Sequence, residues 1–366
     1  MDKPSQLEYY EGFNLAELTT SQADPYIILI HHNDVDGIVS KFNIQRRFNV
    51  SESIPADYNK SMAFNTNRYA SILHTRPKIA FVVDFCLKEN EYDLLIKHGF
   101  KIIVIDHHSD GRINVLKQTK YQNDINYLFS DQFSASILTA YFIIYFQHGS
   151  DAPLINKNLV GVLTTVQLYT NAVLYMFLLL VDARDRGVKS VCNDPTYLHT
   201  YFKSHKFAED KIFEVYSNKV CLNDALDIGN KLYSKEFADI AEEIRKSNWS
   251  VVRVACLDGQ DYVPRLKLLH LTSEISINAT NALAVANQMQ SQYNHPPIDG
   301  VLVEYYSERL SQQHNDVVCH VEIRMNDHNT VHMGEFLKDI CDISGGGHMN
   351  AAGGDLFATT LDAVFK

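Results

Sequence analysis

The chain is short of positive charge. Against 44 Asp+Glu it carries 33 Lys+Arg in 366 residues, a formal net charge of −11. A protein that grips long nucleic acid chiefly by neutralising phosphates is basic on at least one face. The deficit therefore argues against a long polyanion as partner, and any phosphate handled here needs a local source of positive charge. Cysteine is sparse as well. Cys86, Cys192, Cys221, Cys256, Cys319 and Cys341 are far apart and form no C-x-x-C pair, which excludes a disulfide framework and a thiolate zinc site and reads as reduced cytosolic thiols. The first 17 residues are polar and acidic without an apolar core, so no secretory signal is expected and the expected location is cytoplasmic. Long hydrophobic runs are missing too. Within residues 159–181 the longest unbroken apolar stretch is 172–181, too short for the roughly 30 Å of a bilayer core. A buried core helix is expected there, and no membrane partner.

What the chain does have is a globular composition, 46% hydrophobic and 21% charged, which excludes a disordered or fibrous protein. Its length predicts two lobes rather than one core. The first half repeats one pattern: an apolar run, an acidic or His-bearing turn, then a helical stretch. YIILIH (26–31) precedes residues 33–37 and a periodic segment over 38–48; IAFVV (79–83) precedes Asp84 and an amphipathic stretch over 89–98; KIIVI (101–105) precedes Asp106-His107-His108. Continuous β-branched runs alternating with helices predict a parallel sheet covered by helices on both faces. Ligands in such sheets bind beyond the carboxyl ends of the strands, where each of these runs places its polar residues.

Residues 187–250 are rich in charged helix formers, with nine basic and ten acidic groups, and read as solvated helices between two lobes. Strand-like runs return after Trp249 (VVRVACL, GVLVEYY, VVCHVEIRM), with a helical segment over 277–290 and a glycine cluster near the end. Residues 251–366 hold seven basic and fourteen acidic groups, net −7. The expected organisation is an α/β protein with a parallel-sheet domain over 1–186, a helical connector over 187–250 and a smaller α/β domain over 251–366.

His32-Asn33-Asp34-Val35-Asp36-Gly37, Asp84 and Asp106-His107-His108 make a set of hard oxygen and imidazole donors with no cysteine among them. That set suits magnesium, manganese or iron better than structural zinc. Carboxylates converging without a counterion raise one another's pKa and destabilise the fold. A metal pair removes that conflict and activates water near neutral pH. Taken singly, Asp-x-Asp-Gly reads as a turn and Asp84 as a helix cap; three such features at strand carboxyl ends point to a metal site.

With these residues in view, the sequence resembles the DHH phosphoesterases. Asp106-His107-His108 stands as the name-giving motif after its strand, His32-x-Asp34-x-Asp36-Gly37-Ile38 looks like the first motif in its RecJ-like form, and Asp84 in FVVDF matches the second. LLLVDARDRG offers Asp182 for the fourth, with Asp185 as rival. Ser344 through Gly353, S-GGGH-MN-AAG, is similar to the glycine signature of the DHH-associated C-terminal domain, the ending of the RecJ, nanoRNase and cyclic-dinucleotide phosphodiesterase branch. The first motif opens with His32 where the RecJ form more often has Asp, and the glycine loop has three glycines where four are common.

The resemblance implies two divalent ions of the manganese type, magnesium being the other possibility. Asp34 holds one ion, Asp84 bridges, and His107, Asp36, Asp182 and His32 complete the set. Asp106 orients, His108 meets the substrate phosphate, and Asp106, His107 and His108 form the catalytic group. Gly345, Gly346 and Gly347 expose backbone N–H groups, a nest for phosphate or a platform for a base. His348 can donate to a phosphate oxygen, and Arg324 falls where the family usually keeps an arginine facing substrate, a surface salt bridge being its other reading. The alternative for the glycines is a turn before a helix starting near Met349. The implied activity is hydrolysis of phosphate esters in short nucleotides (nanoRNA, cyclic or linear dinucleotides, or 3′-phosphoadenosine phosphate) by metal-activated water, in an enzyme that can form a homodimer. Two other readings are a RecJ-like 5′–3′ single-strand exonuclease and a non-catalytic relative that binds nucleotides or a replication partner.

Overall fold

Apolar side chains on both sides of an extended segment need cover on both faces of the sheet, and the first-half runs find it. The computed structural model describes residues 7–15, 24–56, 62, 64–72, 76–108, 116–148, 159–186, 193–247, 249–253, 266–272, 277–326, 331–348 and 350–365. They belong to two compact units, Met1–Leu232 and Tyr233–Lys366.

In the first unit, β1 (Glu8–Tyr10), β2 (Tyr26–His32), β3 (Glu52–Ala56), β4 (Lys78–Val83), β5 (Phe100–Asp106) and β6 (Ile125–Phe129) form one sheet in the order β1-β6-β5-β4-β2-β3. β2 through β6 run parallel, and β1 pairs antiparallel with β6. Ile27, Leu29, Phe81, Val83, Ile103 and Ile105 pack on one face with residues of α1 (Val35–Gln45) and α4 (Ala135–His148). Ile28, Ile30, Ala80, Val82, Ile102 and Val104 pack on the other with Tyr69 of α2 (Thr66–Ser71) and Tyr92 and Leu95 of α3 (Glu89–Lys97). This is the expected α/β architecture with helices on both faces.

The stretch over 159–181 departs from a single core helix. It is two helices, α5 (Leu159–Tyr169) and α6 (Ala172–Asp185). Thr170 turns its hydroxyl back onto the Val166 carbonyl at 2.6 Å, and Asn171 caps α6 by accepting from the Leu174 N–H at 2.8 Å. Two polar residues that compete for backbone partners suffice to end one helix and start the next. Among the described residues no helix is long and apolar enough to cross a membrane.

The connector also differs from expectation. α7 (Asp194–Ser204) and α8 (Glu209–Tyr216) place Leu198, Tyr201, Phe202, Ile212, Val215 and Tyr216 in the same apolar core as β2 and β4. These helices are amphipathic parts of the first unit rather than solvated links, and the division falls at 232/233, within α9 (Leu222–Lys246), instead of at 186 and 250.

The second unit holds β7 (Val251–Arg253), β8 (Lys267–Thr272), β9 (Gly300–Tyr306), β10 (Val318–Met325), β11 (Ser344–His348) and β12 (Ala351–Phe357) in the order β11-β12-β10-β9-β8-β7. Among the described residues of this sheet, only the β8–β9 pairing is parallel. α10 (Ala279–Tyr293) packs with β8 and β9, α11 (Glu308–His314) follows β9, and α12 (Met333–Ile340) packs with β10 and β12. The glycine cluster is neither nest nor helix start. Gly345, Gly346 and Gly347 lie in edge strand β11, opposite Gly354, Gly353 and Ala352 of β12. A Cβ on Gly345 would lie 2.5 Å from the Leu337 carbonyl oxygen, and one on Gly354 would lie 2.3 Å from Cys341 Sγ. The small residues let the hairpin seat against the end of α12. Met349 lies outside the described residues.

Candidate metal centre

The carboxyl ends of β2, β4 and β5 bring the predicted residues together. Asp34 follows β2 as the N-cap of α1: its carboxylate accepts the Gly37 N–H at 2.9 Å, and His32 Nδ1 lies 2.8 Å from its other oxygen. Gly37 is required by close approach, since a Cβ there would sit 2.3 Å from the His32 carbonyl oxygen. The first turn of α1 therefore folds directly over the end of β2. Asp36, buried in that turn, reaches across to α4 and accepts the Ala135 and Ser136 N–H groups at 2.8 and 3.1 Å, meeting the helix end where backbone donors lack partners.

Asp84 follows β4 with φ of +56°, a left-handed conformation that is uncommon outside glycine and better tolerated by Asp than by most residues. Its N–H still donates to the Ile105 carbonyl at 2.9 Å, so the strand pairing survives while the side chain is redirected. Its Oδ1 lies 3.1 Å from His107 Nε2, and its buried Oδ2 has no hydrogen-bond partner, with His32 Nδ1 standing 3.8 Å away. Asp106, fully buried at the end of β5, accepts the N–H groups of His107 and His108 at 2.8 and 3.3 Å, His108 Nδ1 at 2.8 Å, and the Cys86 thiol at 3.0 Å. It fixes the turn that carries both histidines.

Asp182 and Asp185 divide their duties differently from expectation. Asp182 accepts the Ser134 N–H at 2.6 Å and pairs with both Nε and a terminal nitrogen of Arg186 at 2.9 and 2.6 Å. A carboxylate so engaged is a structural tie between α6, its own C-cap and the start of α4. Asp185, one turn nearer the end of α6, places Oδ2 3.3 Å from His107 Nε2. Donor atoms of Asp36, His107 and Asp185 lie within 4.8 Å of one another; so do those of His32, Asp34 and Asp84, and those of Asp84, Asp106, His107 and His108.

The electrostatics of this cluster call for a cation. Burial and the neighbouring carboxylates push Asp84 well above its usual range, Asp185 up to about 8 and Asp36 up to about 6. Burial, with His108 beside it, lowers His107 to about 4, so its imidazole is neutral near pH 7. Burial also acts to raise Asp34 and Asp106, but hydrogen bonds from His32 and Gly37 hold Asp34 down at about 2, and those from His108 and Cys86 hold Asp106 below the usual range. A buried carboxylate oxygen without a partner is costly, and at Asp84 Oδ2 a bound cation would answer it. Hard oxygen donors with a neutral imidazole fit divalent magnesium or manganese.

Residues 26–165 match the model of the DHH family, N-terminal domain. This segment is a DHH family domain. The Asp106-His107-His108 motif lies within it, as do His32, Asp34, Asp36 and Asp84, so the resemblance to DHH phosphoesterases holds for this segment. No curated protein matches the chain. Among solved structures it is similar to the exonuclease RecJ bound to manganese (14% identity over 93% of this chain and 88% of that one, TM-score 0.49) and to the pGpG-specific phosphodiesterase PggH from Vibrio cholerae (14%, 92% and 95%, TM-score 0.37). It is also similar to CDC45 from Entamoeba histolytica (11%, 93% and 93%, TM-score 0.42).

Of the residues expected in the C-terminal unit, Arg324 lies half-buried on β10, on the face it shares with His320 and Glu322 and opposite Ala351 of β12. Gly346 has open space where a Cβ would stand. Gly347 and His348 are placed in β11 by their backbone, and their side-chain surroundings lie outside the described residues. Cys86 is one of six scattered cysteines in the sequence; its thiol donates to Asp106 because the ends of adjacent strands meet, which no spacing in the sequence reveals.

Proposed function

We propose that the chain is a divalent-metal-dependent hydrolase of phosphate esters whose substrates are short nucleotides, among them nanoRNA, cyclic or linear dinucleotides and 3′-phosphoadenosine phosphate. The observation that carries this reading is the unpartnered Asp84 Oδ2 at the meeting point of carboxylates and histidines from three adjacent strand ends. Manganese is the assigned ion, with magnesium second, and two ions suit donor groups spread over overlapping clusters. When bound, the ions supply Lewis acidity and an activated water.

The chain's own residues do the rest. Asp84 stands between the His32–Asp34 side and the His107–Asp185 side and is the bridging candidate; Asp34, Asp36, His107 and Asp185 complete the donor set. Asp185 takes the place first assigned to Asp182. Asp106 holds the His107–His108 turn rigid, which fixes the donor geometry. His108, held through Nδ1, is positioned to contact a substrate phosphate. In the C-terminal unit, Arg324 and the glycine strand are assigned to nucleotide contact, supported by the open space at Gly346.

The acidic balance of residues 251–366, net −7, favours short substrates over a long strand. A panel of dinucleotides, cyclic dinucleotides, 3′-phosphoadenosine phosphate and a labelled long strand, each with manganese, tests this. Turnover of short substrates that chelation abolishes is expected. Salt-sensitive degradation of the long strand alone would replace the reading with the exonuclease, and binding without turnover would replace it with the non-catalytic relative.

A further inference from the structure

The segment that no motif covers builds a cavity. α7 and the turn after it enclose about 420 Å³ against α6 and the start of α1, a size that holds ligands rather than single waters. Its wall changes character from one side to the other. Asp34, Asp36 and Asp185 of the carboxylate cluster line it, whereas α6 contributes Leu180 and Val181, α7 contributes Leu198 and Phe202, and the following turn contributes Phe207. An apolar wall of this kind gives a second phosphate or a sugar no partners for its polar groups.

Two features make the apolar part suited to a flat heteroaromatic ring. The first is the turn: Lys206 and Phe207 both adopt φ of +54°, held by backbone bonds from Lys206 N–H to the Lys203 carbonyl and from Phe207 N–H to the Phe202 carbonyl, each 2.9 Å. Consecutive left-handed residues other than glycine are strained, and the effect here is to present Phe207, half-buried, to the cavity. The second is His199, whose ring centre lies 5.2 Å from that of Phe207 and which also lines the cavity. Burial, with Arg184 and Lys203 nearby, lowers His199 to about 4, so the imidazole is neutral near pH 7 and offers one donor and one acceptor to a base edge. Aromatic rings and histidine are the side chains on which unpaired bases stack. Arg184 is the cationic side chain of the lining.

Resting on the phosphoesterase reading above, we propose that this cavity seats the base of the nucleotide whose phosphate ester is cleaved at the carboxylate cluster, with His199 and Phe207 against its ring and Arg184 against its phosphate. The shared lining supplies the link: a ring in the apolar part places its own phosphate beside Asp34 and Asp185. α7 then selects nucleotides over other phosphate esters.

Calorimetric titration of the full chain with AMP and with ribose 5-phosphate, in manganese buffer, tests the assignment. AMP is expected to bind at least about tenfold more tightly, within the range of base–aromatic stacking. The preference should fall below about threefold in Phe207→Ala and in His199→Ala, with thermal melts confirming that each is folded; if one fails to fold, the other decides. Equal affinity for the two probes in the wild type, or an unchanged preference in the folded variants, overturns the assignment. Turnover of a dinucleotide in the same preparation separates the two claims. Turnover without base preference removes the cavity assignment alone. Base preference without turnover removes the hydrolase reading and leaves the cavity as a nucleotide site.

Discussion

The two sheets solve the same packing problem in opposite ways. β2, β4 and β5 are parallel and buried on both faces, so their interiors are apolar and the carboxylates and histidines of the cluster gather at the carboxyl ends. β10 is antiparallel to both neighbours and alternates: Val321, Ile323 and Met325 face the core while His320, Glu322 and Arg324 face outward. The first arrangement concentrates charge at a point, where like charges conflict until a cation arrives. The second spreads polar groups along a surface, where His320 finds a neighbour: it lies 2.8 Å from Asp355, which accepts the Ser344 hydroxyl at 2.6 Å. A concentrated site trades stability for chemistry, and a distributed face does not.

Substituting Asp84 breaks the comparison most directly. Asp84→Ala should reduce manganese-dependent turnover to background, as chelation does; full turnover by this variant would refute the site. Asp84→Asn should lose turnover as well, yet melt at a higher temperature than the wild type in chelated buffer at pH 8, because it removes a buried carboxyl that must either hold its proton far above its ordinary range or ionise beside like charges. The pH dependence follows from the same groups. Asp84 lies well above its usual range and Asp185 near 8, so the folded state retains protons that the unfolded chain loses above about pH 4. His107 and His199, lowered to about 4, act in the opposite sense up to about pH 6.5, so the stability of the metal-free protein should fall chiefly as pH rises from about 6.5 towards 8. A melting temperature that rises across that range would contradict the picture.

Asp106→Asn should lower turnover about 10- to 100-fold by loosening the His107–His108 turn, with weaker manganese affinity as a second readout. Asp182 and Asp185 should then separate cleanly. Asp185→Asn should reduce turnover and leave the metal-free melting temperature at or above that of the wild type, whereas Asp182→Ala should destabilise by about 1–3 kcal/mol because it strands Arg186 and the Ser134 N–H. The reverse pattern would restore Asp182 to the site. In the second sheet, Gly345→Ala should cost about 1–3 kcal/mol by forcing the hairpin away from α12, read by chemical denaturation.

The first unit was legible because a parallel sheet writes itself as apolar runs with punctuation. β2, β4 and β5 each lie within a residue of their runs, whereas β1, β3 and β6 had no run to mark them, and Asp34, Asp36, Asp84, Asp106, His107 and His108 meet because they stand at those punctuation marks. The choice between Asp182 and Asp185 was not legible. Residues three apart share a helix face, and the decision rests on Arg186 and on an N–H from α4, a helix some fifty residues earlier. The glycine strand misread as a nest for a related reason: glycine's freedom suits a turn, while the demand here comes from Leu337 and Cys341 packed against it. The helices of the connector hid their role because amphipathic segments look alike whether they cover a neighbouring core or stand between domains.

Position 84 is constrained twice, by its carboxylate and by a backbone turn that few residue types adopt. The first constraint lapses if turnover is no longer needed, but the second persists as long as the strand pairing does. A lineage that abandoned the chemistry would then drift at this position towards Asn or Gly, which tolerate the turn, before it reached valine or isoleucine. Asn or Gly at 84 would therefore mark a chain that keeps the strand pairing without the carboxylate.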